Sequence, residues 1–187
     1  MKKEINTPAG TLRSMNGMIV SYTRNDVEYR IGDLVYVTGD VHGHVCPGID
    51  EEGLGEIVSF QEHDTDHFIG VKMLDSGQIG FMKSARITNL TRLDKSRQKK
   101  TAFSNWRLVV NAYDLPIALL VDGIVRVRLG DRVMVCPDNK GWISCQIHEG
   151  GLGRITRMRS DDIDHFFGVT MYDGSFDYLK LERITKI

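Results

Sequence analysis

The chain contains itself twice. The stretch "HDTDHFIGVKMLDSG" recurs ninety-eight positions later as "DDIDHFFGVTMYDG", and the match runs without a gap from Ile31 over Leu129 to Asp75 over Asp173. "IGDLVYV" pairs with "LGDRVMV" and "EEGLGEIVSF" with "EGGLGRITRM"; one deleted residue near Ser76 then brings "KSARIT" over "KLERIT". Two copies are too few for a solenoid, so the repeat dictates two versions of one small domain. In 187 residues there is room for two such domains and little else.

Each copy reads as short strands separated by turn signals. "MIVSYTRNDVEYRIGD" and "IALLVDGIVRVRLGD" are apolar runs broken at Asn25-Asp26 and Asp122-Gly123, the signature of a hairpin. In "DLVYV" and "DRVMV" the valines alternate, Val35 with Val37 and Val133 with Val135, onto one face. The Gly-Leu-Gly of residues 53–55 and 151–153 is expected to form a turn. A further strand, an Asp-rich loop and two closing strands complete the copy. Short strands with little helix predict a small closed barrel, because closure removes exposed edges.

The order GD-x-V-x-V, loop, G-x-G-x-I/V, polar hairpin loop, then a strand ending in Asp-Gly resembles the SH3-like barrel superfamily. It is similar to the KOW modules of NusG-type transcription factors and ribosomal proteins, and to MIB/HERC2 and Tudor-type barrels. The residues that carry it are Gly32-Asp33, Val35, Val37, Gly53, Gly55, Ile57, Val71 and Asp75 to Gly77. In the second copy they are Gly130-Asp131, Val133, Val135, Gly151, Gly153, Ile155, Val169 and Asp173-Gly174. The resemblance implies an all-β chain of two tandem small SH3-like β-barrels related by an internal repeat. The expected organisation is an arm (1–17), a first barrel (18–90), a basic linker (91–107) and a second barrel (108–187).

The repeated D-x-D-H invites a catalytic or metal reading. Asp64, Asp66 and His67, like Asp162, Asp164 and His165, fall in a loop between two antiparallel strands, where aspartates accept hydrogen bonds from turn amides. A metal needs three or four converging ligands, and acid-base work needs a water-poor pocket. Three residues on a hairpin tip supply neither, so the tetrad is expected to shape a turn. His42, His44 and Cys46 alternate as zinc ligands on a strand would, but the second copy has Lys140, Trp142 and Ser144 there. Cys145 and His148 make half a site. There is no Gly-x-Ser-x-Gly elbow, Walker-type loop or HExxH. The reading is a non-enzymatic protein with no catalytic residues, metal or cofactor. Three cysteines, no apolar leader behind "MKKEINTPAG" and no apolar run of membrane-spanning length lead us to expect a cytoplasmic protein without a membrane partner.

Charge is where the two copies part. Residues 28–90 carry a net charge of −7, residues 126–187 of +1, and the short segment 91–107 of +5, against −1 for the whole chain. Arginines alternate on strands of the second copy, Arg126 with Arg128 and Arg157 with Arg159, opposite Val127/Leu129 and Thr156/Met158. Cations beside aromatic side chains are the footprint of a nucleic-acid surface. The candidate contacts are Lys95, Arg97, Lys99, Lys100, Trp106, Arg107, Arg126, Arg128, Lys140, Trp142, Arg157 and Arg159. The function expected is phosphate binding to DNA or RNA, of the transcription, translation or nucleoid-associated type, as in stand-alone KOW-like proteins of bacteria and phages. The competing reading is a protein-interaction adaptor whose acidic first barrel docks on a basic partner, such as a polymerase or ribosomal surface. Plainer readings make the basic segment a solvated tether, or a strap on the acidic barrel, and make the tryptophans plugs of barrel ends.

Overall fold

The computed structural model describes residues 2–7, 10–39, 49, 52–61, 67–93, 98–101, 105–138, 146–160 and 165–187, in two compact units, Met1–Asp94 and Lys95–Ile187. Among them no helix is long and apolar enough to cross a membrane.

The first unit opens with an antiparallel meander of β1 (Lys2–Thr7), β2 (Gly10–Met15), β3 (Met18–Arg24) and β4 (Val27–Arg30). Residues 1–17, read from the sequence as an arm, thus contribute two of its strands. Asn25 and Asp26, at φ 49° and 62°, both take the left-handed conformation that a tight two-residue hairpin requires, which is why this polar pair breaks the apolar run. A second sheet follows, made of β5 (Leu34–Val37), β6 (Gly53–Phe60), β7 (Ile69–Met73), β8 (Ile79–Met82), a single 3₁₀ turn (Ser84–Arg86) and β9 (Ile87–Asn89). Its strand order is β8-β7-β6-β5-β9. One core joins the two sheets: Leu12, Ile19, Tyr22 and Tyr29 of the meander pack with Val35, Ile57 and Val71 of the second sheet and with Phe68 just ahead of β7.

The second unit repeats this plan. Strands β10 (Gln98–Lys100), β11 (Trp106–Val110), β12 (Pro116–Val121) and β13 (Ile124–Arg128) form one sheet in sequence order. Asp122-Gly123, at φ 52° and 78°, turns β12 into β13 as expected. The segment 91–107, read as a linker, supplies β10 and the start of β11. Then β14 (Arg132–Val135), β15 (Gly151–Met158), β16 (Phe167–Met171), β17 (Phe176–Leu179), a 3₁₀ turn (Leu181–Arg183) and β18 (Ile184–Lys186) pair in the order β17-β16-β15-β14-β18.

The expectation of two closed SH3-like barrels is therefore corrected. The fold is all-β, as expected, but it consists of four open antiparallel sheets, and no closed barrel occurs among the described residues. No ladder joins β8 to β9 or β17 to β18. The physical reason lies in the hairpins assigned to the barrels, β3-β4 and β12-β13. They pair instead with β2 and β11 into sheets of their own. In the first unit, apolar faces that closure would have hidden are buried sheet against sheet.

The shared Gly-Asp is the joint between the sheets of a unit. The Asp33 carboxylate, 4% exposed, accepts from the Arg30 N–H at 2.9 Å and the Asn89 side-chain amide at 2.8 Å, and is paired with Arg92. Asp131 accepts likewise from the Arg128 N–H at 3.0 Å and is held by Arg128 Nε at 3.1 Å and Lys186 Nζ at 2.8 Å. A buried carboxylate is tolerated because it is both hydrogen-bonded and paired. Both Gly-Leu-Gly stretches, expected as turns, instead begin the long strands β6 and β15.

Candidate nucleic-acid interface

The sequence-derived candidates fall into three groups. Lys95, Arg97, Lys140 and Trp142 lie outside the described residues, as do the aspartates of both D-x-D-H loops and the His42, His44, Cys46 cluster. His67 and His165 are half-buried just ahead of β7 and β16. His148 is exposed, and no group of three metal-ligating side chains occurs among the described residues.

A second group sits on the sheet β10–β13. Lys99 and Lys100 are exposed on β10, Lys99 within 3.2 Å of Asp114 and Lys100 opposite Arg107 in the ladder. Trp106 and Arg107 open β11, half-buried, and Arg107 Nη1 donates to the Trp106 carbonyl at 2.7 Å. Arg126 is exposed on β13, whereas Arg128 is held by Asp131 at the joint. Arg30 takes the same position in the first unit with the same backbone N–H bond, to Asp33, but its guanidinium turns to Glu28.

Arg157 and Arg159 form the third group, and the structure gives them neighbours that the sequence reading missed. Register shifts between Ile155 and Arg157, where Arg157 faces Gly168, which in turn faces Tyr178 on β17. This bulge turns Thr156 outward beside Arg157, not to the opposite face as simple alternation predicts: Ile155 and Met158 are buried, while Thr156 is half-buried and Arg157 exposed. Thr156 Oγ1 lies 2.9 Å from Thr170 Oγ1, and Thr170 is the ladder partner of Phe176. The Arg159 guanidinium stands 4.0 Å from the centre of the Tyr178 ring, and that of Arg157 stands 5.6 Å from the Phe176 ring. The two rings meet edge to face, with centroids 5.2 Å apart. Gly168 makes room for them, since a Cβ there would come within 3.1 Å of Phe176 ring atoms.

Two guanidiniums thus stand over two aromatic rings on the outer face of a three-strand ribbon, Arg159 the closer of the two. Among the described residues neither pairs with a carboxylate. Asp177, between the rings in sequence, points to the other side of β17 by alternation and accepts from the Gln146 N–H at 2.7 Å. A guanidinium that meets a ring by its face keeps its in-plane N–H groups for other partners, and these suit phosphate oxygens.

The first unit is an internal control. Its ladder has the same register, with Ser59 facing Gly70 and Gly70 facing Phe81. Ser59 and Gln61 stand in place of Arg157 and Arg159, Glu56 in place of Arg154, and Ile79 and Phe81 in place of Phe176 and Tyr178. The same scaffold is built without the arginines, so folding does not require them. One signal in the sequence could have revealed the rings: Phe176-x-Tyr178 puts two aromatics on one face of the strand two places from β15. No family model, curated protein or solved structure matches this chain.

Proposed function

We propose that the protein acts by binding nucleic acid, through phosphate contacts centred on Arg157 and Arg159 of the second unit. One observation carries this reading. The face that is acidic and neutral in the first repeat is rebuilt in the second with arginines over aromatic rings and without carboxylate partners among the described residues. Selection for folding alone gives no reason for that change. Lys99, Lys100 and Arg126, exposed on the other sheet of the same unit, add cations to its surface. Contacts of this kind position a strand by its backbone and read little sequence.

The test is fluorescence anisotropy of labelled RNA and DNA with the full chain, repeated across salt concentration. Changing Arg157 and Arg159 together to Ser is expected to weaken binding about tenfold at low salt. The slope of log affinity against log salt should become shallower by roughly 1.4–1.8, because two fewer phosphates are neutralised. Absence of salt-sensitive binding at low ionic strength defeats the proposal and turns the search to protein partners of the acidic first unit.

A further inference from the structure

We infer that the β15–β17 face selects single-stranded nucleic acid over duplex, by stacking an unpaired base on the Arg159 guanidinium. The inference rests on the function proposed above and adds the ligand's class. The Arg159 guanidinium sits over the Tyr178 ring with its carbon 4.0 Å from the ring centre, so the ring covers one side of it. The side chain is exposed, so a flat partner can reach it from solvent. A base placed there completes a layered stack of base, guanidinium and phenol, with the arginine's edge N–H groups free for the adjoining phosphate. Arg157, at the longer distance of 5.6 Å from Phe176, is the looser cation and serves the next phosphate along the strand.

This geometry excludes an intact duplex as the best ligand. Inside a duplex both faces of every base are already stacked on neighbours, so only phosphates reach the arginines. A single strand offers phosphates and bare base faces together, and every base has a face to offer, so little sequence preference is expected. The Thr156 and Thr170 hydroxyls, bonded to each other at 2.9 Å, do not form a dedicated reader of base edges. An acidic peptide would satisfy the charges but leave the stacking surface unused.

The experiment compares, with the full-length chain, labelled oligouridine and oligothymidine, a blunt duplex of equal length, an abasic strand and polyglutamate as competitor. Both single strands are expected to bind about tenfold or more tighter than duplex or abasic strand. Arg159→Lys keeps the charge and loses the plane, and it should narrow that single-strand preference to about twofold. Tyr178→Leu should narrow it as well; far-UV circular dichroism and the unfolding midpoint verify that each variant is folded. Equal affinity for strand, duplex and abasic strand, unchanged in Arg159→Lys, overturns this inference while leaving the phosphate-binding function standing. Binding to none of the nucleic acids defeats both, and displacement by polyglutamate alone reassigns the face to an acidic protein surface.

Discussion

Replacing Arg86 with alanine is expected to destabilise the first unit by roughly 2–5 kcal/mol, read as a lowered urea midpoint. Arg86 is buried at 6% exposure. Its Nε donates to the Thr38 carbonyl at 3.0 Å, and Nη1 and Nη2 both donate to the Ile49 carbonyl at 3.2 Å. Those two carbonyls flank the long connection between β5 and β6, so one side chain clamps both its ends. The clamp is reciprocal, since the Thr38 N–H and hydroxyl donate to the Arg86 carbonyl at 2.9 and 3.1 Å. Truncation strands two buried acceptors, each costing about 1–3 kcal/mol. A lysine should rescue little, because one ammonium cannot reproduce the planar fork. Arg183 makes the equivalent contacts to Cys136 and Ile147 but is only half-buried. Its alanine variant should therefore cost less, about 1–2 kcal/mol, and an equal cost at both positions would contradict this reading.

Gly55→Val is the second large effect, expected at about 3 kcal/mol in the same unfolding experiment. A Cβ at Gly55 would fall 2.5 Å from Val71 Cγ1 and 3.2 Å from the Lys72 carbonyl. Val71 is fully buried in the core, so it has nowhere to retreat. Gly153 is confined in the same way, with Thr170 O and Val169 Cγ1 each 2.9 Å from its Cβ position. A stability within about 0.5 kcal/mol of wild type would show that the strands can separate locally, and would undo the packing argument.

These two positions also show what the sequence could and could not disclose. The repeat was legible because identical residues recur in one register, and the hairpins at Asn25-Asp26 and Asp122-Gly123 were legible because few residues accept positive φ. Gly55 and Gly153 were visible but misread: glycine serves turns by its freedom of φ and strands by its lack of a side chain, and spacing does not separate the two. Arg86 and Arg183 stood in matching "ARIT" and "ERIT", yet their partners lie 48 and 47 residues away in sequence, at Thr38 and Cys136. Whether each sheet closes depends on pairing between its outermost strands, which local patterning does not encode. Among the described residues of the strands at 2–15 only Leu12 and Ser14 are fully buried, so the pair carries little of the apolar alternation that would announce it. In the candidate interface, Arg157 and Arg159 were legible from charge alternation. Their aromatic partners were not, because they come from β17, two strands away in the sheet, and the pairing that brings them beside the arginines is not local.

The most direct test of the proposed interface is a map of where the strand touches the protein. Amide chemical shifts of isotope-labelled full-length chain would be followed by nuclear magnetic resonance during titration with oligouridine. The account predicts saturable shifts centred on Arg157, Arg159, Gly168, Phe176 and Tyr178, with the corresponding Ser59, Gln61, Gly70, Ile79 and Phe81 left in place. Shifts centred on the first unit, or none at a saturating strand concentration, would contradict it.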